Sequence, residues 1–178
     1  MEYHESKLRG VFEIRIEPKI DERGFFARTW CQREFEERGL HPRLVQCSVS
    51  FNNKKGTLRG MHYQAEPHAE AKLVRCTQGS VYDVVVDLRA QSPTFKNWTA
   101  VTLSAAERNM VYVPEGCAHG FLTLEDSSEV FYQMSEFYDQ ESARGVRWDD
   151  AAFQIVWPEA VRVISVRDRT YPDFDGVR

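Results

Sequence analysis

The stretch KLVRCTQGSVYDVVVDLR, from Lys72 to Arg89, holds two runs of mostly β-branched and aliphatic residues on either side of Gln78 and Gly79. Runs of this kind around a short glycine turn indicate two β-strands joined as a hairpin. The stretch therefore predicts an all-β fold for this part of the chain.

Similar short runs occur on both sides of this stretch, and Gly, Pro, Asn or Asp residues separate them. They are GVFEIRIEP (10–18), TLRGMHYQ (57–64), SPTFKNWTAVTLS (92–104), NMVYVPEGCAHGFLTLED (109–126) and SEVFYQMSEFY (128–138). Many short strands at this spacing favour a sandwich or barrel, because these forms protect their sheet edges. We predict an all-β jelly-roll barrel that forms a single domain over residues 1–178, a length sufficient for one sizeable core.

Only two segments have the residue pattern of a helix. RTWCQREFEERG, residues 28–39, sets apolar side chains among charged ones and ends at Gly39, a residue type that commonly terminates helices. DDAAFQIVWP, residues 149–158, predicts one helical turn that ends before Pro158. The rest of the chain is expected to form strands and turns.

The composition is that of an ordinary globular protein, with 42% hydrophobic residues, 28% charged residues and a net charge of -4. Because Lys and Arg number 23 against 27 Asp and Glu, no basic excess is available to attract nucleic acid or an anionic membrane. The four cysteines lie far apart, and the first residues lack the apolar core of a secretory signal. These features predict a cytoplasmic protein with reduced thiols and with no nucleic-acid or membrane partner.

Several polar side chains fall in strand-like sequence, although a small barrel normally fills its interior with apolar groups. They are Arg59, His62, Lys72, His119, Tyr132 and, after the last β run, Asp168. Each has an ordinary explanation, because strand histidines and tyrosines are often hydrogen-bonded core residues and strand-end lysines reach solvent. Taken together, they indicate a polar ligand site inside the barrel.

A metal site is the first chemistry to test, because jelly-roll barrels often bind iron, manganese or zinc through histidines and a carboxylate. The usual signal is a pair of histidines one residue apart, but Gln64 takes the second position after His62. His68 lies in the turn-like sequence EPHAEA. We therefore predict no metal, and a metal-dependent enzyme that uses His62, His68 and His119 is the alternative.

A series of motifs in order resembles one enzyme family. The motifs are DERGFF, GTLRGMHYQ, KLVRC, GSVYDVVVDLR, SPTF, VPEGCAHGF, FYQMSEFY, RGVRWDD and VISVRD. Together they span nearly the whole chain, and they resemble the dTDP-4-dehydrorhamnose 3,5-epimerases. The resemblance implies a cupin-type jelly roll, usually a homodimer, that epimerises a nucleotide-diphosphate sugar, a 4-keto-6-deoxyhexose, at C3, C5 or both without metal or organic cofactor.

The resemblance also implies catalytic roles for four residues. His62 matches the family's base, and Asp168 matches the carboxylate that orients it. Tyr132 matches the proton donor, and Lys72 matches the cation beside the developing oxyanion. The set is chemically coherent, because a hydrogen beside the C4 ketone is acidic only through an enolate, and inversion requires a base and a donor on opposite faces of the ring.

A second set of residues is predicted to bind the substrate. The set consists of Arg23 and Arg59 at the diphosphate, together with Gln46, Ser48, His119, Arg28 and Arg167. Some positions depart from the family's usual residues, namely Arg28, Cys47, Ser48 and Ala143. These departures leave the nucleotide open between dTDP, CDP, GDP and UDP, and they suggest the hypothesis of a nucleotide other than dTDP.

A barrel that binds a sugar nucleotide without catalysis is another alternative. Loss of catalysis usually replaces the base or the donor first. Here His62 and Tyr132 are both kept, as are Lys72 and Asp168. The complete set therefore favours an enzyme.

Overall fold

The computed structural model describes residues 1–176 and consists mainly of two β-sheets and a separate hairpin. The strands are β1 (Glu2–Glu5), β2 (Phe12–Arg15), β3 (Lys19–Asp21), β4 (Gly24–Phe26), β5 (Gln46–Asn52), β6 (Thr57–Gln64), β7 (Lys72–Gln78), β8 (Ser80–Asp87), β9 (Trp98–Ser104), β10 (Met110–Val113), β11 (Cys117–Thr123), β12 (Ser128–Met134), β13 (Ala143–Gly145) and β14 (Val163–Ile164). The two helices are α1 (Gln32–Glu36) and α2 (Val166–Arg169).

The first sheet has the strand order β1-β2-β10-β7-β12-β5, and the second has the order β13-β6-β11-β8-β9. The neighbours along both orders pair antiparallel, whereas β14 pairs parallel with β6. Strands β3 and β4 pair only with each other and form the hairpin. The prediction of an all-β jelly roll is confirmed, since two antiparallel sheets enclose one core.

The turn at Gly79 joins two strands as predicted, but the strands do not form a hairpin. Strand β7 lies between β10 and β12 in the first sheet, and β8 lies between β11 and β9 in the second. Gly79 has a φ of 70°, and a Cβ there would lie 2.6 Å from the Ser128 Oγ. The turn therefore carries the chain from one sheet to the other, and the hairpin prediction was wrong because a turn sequence does not specify which strands pair.

The main core fills the space between the sheets. It contains Val74, Cys76, Val111, Val113 and Val130 from the first sheet and Val81, Val85, Leu103, Cys117 and Phe121 from the second. The outer faces are covered as well. Phe35 of α1 packs against the first sheet, and Phe153 packs against the second. Burial on both faces explains why the runs of β7 and β8 are so continuously apolar.

The predicted helices match the structure only in part. Helix α1 covers the middle of the predicted segment 28–39, and Gly39 follows with a φ of 67°. The single turn predicted in residues 149–158 is present at Asp150, whose carbonyl oxygen accepts the N–H groups of Phe153 and Gln154, but no helix continues from it to Pro158. There the Asp150 carboxylate accepts the backbone N–H groups of Ala152 and Phe174, and such side-chain bonds compete with helix formation.

Within residues 1–176, no helix has the length and apolar character that crossing a bilayer requires.

Candidate active site

A cavity of about 790 Å³ opens between the two sheets, and we call it the front cavity. This volume lies within the range of sites that bind a small organic ligand. The predicted site residues that line it are Gln46, Ser48, Arg59, His62, Lys72, His119, Tyr132, Arg167 and Asp168. Residues as distant in sequence as Gln46 and Asp168 thus converge on one volume.

His62 and Asp168 form a hydrogen-bonded pair in the front cavity. The His62 Nε2 atom lies 2.7 Å from the Asp168 Oδ1, and the histidine side chain is 41% exposed while the aspartate is 6% exposed. Burial opposes ionisation of Asp168, but the hydrogen bonds from His62, the Gly60 N–H and Ser165 lower its pKa below the ordinary value. The carboxylate therefore fixes the ring of His62 and leaves Nδ1 to accept a proton.

Gly60 is the reason that β6 can bring this pair together. It has a φ of 129°, and a Cβ there would lie 2.5 Å from the Gly120 Cα on β11. The pairing of β6 with β11 shifts register between His119 and Phe121 at this close approach. The Gly60 N–H then points to the Asp168 Oδ2 at 3.3 Å. The glycine in TLRGMHYQ is thus required by backbone contact and not by turn formation.

Tyr132 lies on β12 in the first sheet, whereas His62 lies on β6 in the second. Burial, and then the nearby charge of Asp83, raise the pKa of Tyr132 above its ordinary value. The phenol is therefore held in its protonated form at neutral pH. The base and the candidate donor come from opposite walls of one cavity.

Lys72 lies at the start of β7 with its side chain 11% exposed. Its Nζ is 2.9 Å from the Glu70 Oε1 and 3.4 Å from the His62 backbone oxygen. The ammonium group is therefore fixed beside the base rather than extended to solvent. This geometry disfavours the ordinary explanation of a strand-end lysine.

His119 forms a second histidine-carboxylate pair deeper in the barrel. Its Nε2 lies 2.8 Å from the Asp83 Oδ2, and the exposed fractions of the two residues are 4% and 0%. The ring of His119 meets the ring of Tyr132 edge to face, with centroids 6.1 Å apart. Burial raises the pKa of the Asp83 carboxyl above its ordinary value, although the neighbouring His119 acts in the opposite direction.

The arginines of the cavity are oriented by neighbouring polar groups. The Arg59 Nε donates to the Asn52 Oδ1 at 2.7 Å, and the Arg167 Nε donates to the Tyr171 hydroxyl at 2.9 Å. Each guanidinium keeps further N–H groups for a ligand, and guanidinium groups bind phosphate oxygens in pairs. These arginines give the cavity cationic groups suited to a diphosphate.

Arg23 and Arg28 do not line the front cavity of their own chain. Arg23 is exposed on the β3–β4 hairpin, where its guanidinium pairs with Asp21. Arg28 pairs with Glu34 of α1. The substrate-binding roles predicted for Arg23 and Arg28 therefore stay predictions, because neither residue lines the front cavity of its own chain.

Several cavity residues were not predicted from the sequence. They are Ser50, Tyr63, Gln64, Glu70, Tyr138 and Arg144, together with Asp83 behind His119. Asp83 carried a usable signal, since it is an acidic residue in the apolar run VYDVVVD and needs a partner when buried. Ser50 could have been found from its spacing, because alternate residues of β5 face the same side as Ser48.

The metal alternative required His62, His68 and His119 to surround one ion. His62 and His119 are each paired with a different carboxylate, and His68 is exposed and does not line the front cavity. Within residues 1–176, no group of three or more His, Cys, Asp or Glu side chains lies close enough to hold a metal ion. The donor set of the metal alternative is therefore not assembled.

Comparisons with known proteins place the chain among related epimerases. Residues 5–176 match the family model described as dTDP-4-dehydrorhamnose 3,5-epimerase. The enzyme of that name from Shigella flexneri is 46% identical over 156 residues, which cover 86% of each chain. The crystal structure of the enzyme from Elizabethkingia anophelis is similar with a TM-score of 0.94 and 38% identity, covering 98% of this chain and 96% of the other.

A third comparison concerns a complex with a sugar nucleotide. The dTDP-6-deoxy-D-glucose-3,5-epimerase from Legionella pneumophila, solved with dTDP-4-keto-L-rhamnose, is similar with a TM-score of 0.87 and 34% identity. The match covers 94% of this chain and 89% of that one.

Proposed function

Because the chain belongs to the dTDP-4-dehydrorhamnose 3,5-epimerase family, we propose that it epimerises a dTDP-linked 4-keto-6-deoxyhexose at C3 and C5. The observation that carries this proposal is the arrangement of His62 and Tyr132 on opposite walls of the front cavity. Inversion of a carbon needs a base on one face of the ring and a proton donor on the other. The barrel supplies both in a volume of about 790 Å³.

The proposed reaction begins at His62. Its Nδ1 takes the proton from the carbon beside the C4 ketone. The electron pair of that C–H bond forms a C=C bond to C4, and the π electrons of the ketone move onto its oxygen, which gives an enolate. Asp168 stabilises the resulting imidazolium, and the Lys72 ammonium stabilises the enolate oxygen. Tyr132 then donates its phenolic proton to the same carbon from the opposite face.

The nucleotide proposed is dTDP, as in the names of the relatives. Four positions depart from the family's usual residues, but only two of them line the front cavity and could affect the choice of nucleotide. Arg28 and Cys47 do not line the front cavity, whereas Ser48 and Ala143 do. A thermal-shift series with dTDP, CDP, GDP and UDP tests the choice, since a ligand of the native state raises the melting temperature. Stronger stabilisation by another nucleotide would reject dTDP.

We further propose a homodimer in which the β3–β4 hairpin of one subunit reaches the front cavity of the other. The hairpin exposes Ile20 and Phe26 at 81% and 77%, and the edge strand β5 exposes Val49 and Phe51 at 57% and 47%. Exposed apolar groups at a sheet edge are typical of contact surfaces. In such a dimer, Arg23 would lie beside the substrate in the front cavity of the other subunit.

We propose a cytoplasmic location for this dimer. The four free cysteines support it, because disulfides are rare in that reducing compartment. The proposed substrate is a small sugar nucleotide, and the overall charge of -4 gives no support for a nucleic-acid partner.

The test of the proposed function is solvent exchange. The protein is incubated with dTDP-4-keto-6-deoxyglucose in D2O while NMR follows the C3 and C5 protons. We expect deuterium at both carbons together with inverted product, and we expect His62→Ala to lower both rates by roughly 10²-fold to 10⁴-fold. His68→Ala, which changes an exposed histidine outside the cavity, is the matched control and should behave as wild type.

The same experiment separates the alternatives. Binding of dTDP without exchange at either carbon would favour a binding barrel and overturn the proposal. Loss of activity in His68→Ala as well as in His62→Ala would favour the metal alternative, which needs both histidines.

A further inference from the structure

A second cavity lies on the far side of the core from the front cavity, and we call it the back cavity. It has a volume of about 170 Å³ and lies between β1, β2 and β10 of the first sheet and β8 and β9 of the second. Its lining includes the polar residues His4, Glu5, Ser6, Glu13, Asp83 and Thr99. The rest of the lining is apolar, so the polar partners for a water molecule lie on one part of the wall, where Asp83 faces Glu13 and Thr99.

Asp83 belongs to both cavities at once. It is among the residues that line the back cavity, while its Oδ2 lies 2.8 Å from the Nε2 of His119, which lines the front cavity. The Asp83 Oδ1 is buried and has no hydrogen-bond partner among residues 1–176. A buried carboxylate oxygen without a partner is costly, so this atom requires a donor from the back cavity.

The proposed reaction requires that Tyr132 regain a proton during the reaction. Epimerisation at two carbons requires two protons from the tyrosine side of the ring, but Tyr132 holds only one. The donor must therefore be reprotonated between the two inversions, while the sugar nucleotide occupies the front cavity. A route that avoids the front cavity would allow this.

We propose that Asp83 and His119 form a proton inlet that carries a proton from water in the back cavity to Tyr132. The inference rests on the proposed 3,5-epimerase function and adds residues that act through Tyr132. In this role Asp83 is a positioning and relay residue, because it contacts His119 and not the substrate.

The relay balances as a chain of proton transfers. The relay starts with the buried Asp83 carboxyl protonated on Oδ2 and with neutral His119 protonated on Nδ1. The Tyr132 phenolate takes the proton from the His119 Nδ1, and the His119 Nε2 takes the one from the Asp83 Oδ2. The Asp83 Oδ1 takes one from water, which the solvent replaces. One O–H or N–H bond forms as another breaks at each transfer, and no group is oxidised or reduced. The proton that His62 removed passes directly to solvent at the exposed side of its ring, since that side chain is 41% exposed whereas Tyr132 lies inside the barrel.

Two variants interrupt the inlet at different points. Asp83→Asn keeps the size of the side chain but replaces the carboxyl group with an amide that does not relay a proton. Thr99→Met fills the back cavity from β9 without touching the front cavity. Thr102→Met is the matched control, because Thr102 is exposed on the same strand and does not line the back cavity.

The measurement is a single-turnover reaction with enzyme in excess over dTDP-4-keto-6-deoxyglucose, in which NMR resolves singly and doubly inverted sugars. We expect the first inversion at the wild-type rate in both inlet variants. The second inversion should slow roughly tenfold or more, so that the singly inverted sugar accumulates. Thr102→Met should give the wild-type ratio.

The outcomes separate this inference from the proposed function. Equal slowing of both inversions, or a wild-type ratio in Thr99→Met, would overturn the inlet. If Asp83→Asn does not fold, as its thermal melt would reveal, the result for Thr99→Met decides alone. A wild-type protein that inverts neither carbon would instead reject the epimerase function. If the wild type inverts only one carbon, the same variants are followed with substrate in excess over enzyme. A normal first turnover with slowed later turnovers then supports the inlet, and equal rates overturn it.

Discussion

In the proposed reaction, the hydroxyl group of Tyr132 is needed for only one of the two proton transfers to and from the sugar. Removal of the substrate proton needs His62 and Asp168, whereas return of a proton on the other face needs Tyr132. Since His62 lies in the second sheet and Tyr132 in the first, a change at Tyr132 need not displace His62.

Tyr132→Phe should therefore uncouple exchange from inversion. We expect deuterium from D2O to enter the sugar through His62, while formation of the inverted product falls by roughly 10²-fold to 10⁴-fold. NMR of the sugar protons measures both rates in one sample. Tyr82→Phe is the control, because Tyr82 packs against Trp157 and does not line the front cavity. Loss of exchange in Tyr132→Phe at the same rate as inversion would argue against separate roles.

At the level of the strand, Gly60 controls how closely β6 approaches β11. Gly60 and Gly24 have almost the same φ, 129° and 128°, but only Gly60 is crowded. A Cβ at Gly60 would lie 2.5 Å from the Gly120 Cα, whereas nothing lies within 4 Å of a Cβ at Gly24. Alanine substitutions at Gly60 and Gly24 therefore separate two losses of folding stability, the loss from the clash and the loss from the positive φ.

We expect Gly24→Ala to lower the free energy of unfolding by about 1–3 kcal/mol through backbone strain alone. Gly60→Ala should lower it by at least about 2 kcal/mol more, because strand backbone must move to make room. Urea unfolding of both variants gives the comparison. Equal losses would mean that β11 adjusts without cost and that the close approach is not required.

The loop after β8 depends on the buried carboxylate of Asp87. It accepts hydrogen bonds from Arg89 at 2.9 Å, Ser92 at 2.5 Å and Thr94 at 2.6 Å. Burial alone would raise its pKa, but these donors lower it from 3.8 to about 2. The ionised form of Asp87 is therefore favoured over the protonated form more strongly in the folded chain than in the unfolded chain.

The sign of the pH dependence follows from this lowered pKa. A group with a depressed pKa in the folded state stabilises the fold above its unfolded pKa and loses that contribution as the pH falls through the folded pKa. Between pH 4 and pH 2, Asp87 should lose on the order of 2 kcal/mol of stabilisation. The deficit of Asp87→Asn relative to wild type should shrink by that amount over this range. Glu107→Gln, an exposed carboxylate elsewhere, should show no such convergence in denaturant unfolding.

The sequence predicted the positions of the strands better than it predicted which strands pair with each other. Strand positions and the turn at Gly79 were recognisable from β-branched runs, yet β7 and β8 lie in different sheets. Pairing depends on which apolar faces meet across the core, and no local pattern encodes that. His62, Lys72, Tyr132 and Asp168 could be assigned because motifs carry them. Asp83, an acidic residue in an apolar run, indicates that a buried partner exists, but the sequence does not show that the partner is His119 on another strand.

At the scale of the whole molecule, Arg23 remains the predicted site residue that most needs a second subunit. Its hairpin pairs with neither sheet, and Arg28 also lies outside the front cavity. The exposed apolar groups of the hairpin and of β5 give a surface on which another copy could pack. A shared site would make the activity of each subunit depend on its partner.

Mixing two variants that are impaired in different ways tests this dependence. We expect Arg23→Ala to raise KM by about tenfold or more, because a diphosphate loses a cation, and His62→Ala to lose turnover. In a mixed dimer, the cavity of the Arg23→Ala subunit keeps His62 and receives Arg23 from the partner. Activity at low substrate concentration should therefore exceed the sum of the separate variants after the two are unfolded together and refolded. A mixture of Arg23→Ala with Arg33→Ala, a charge outside the front cavity, controls for refolding. Activity no greater than the sum would mean that each subunit uses its own residues alone.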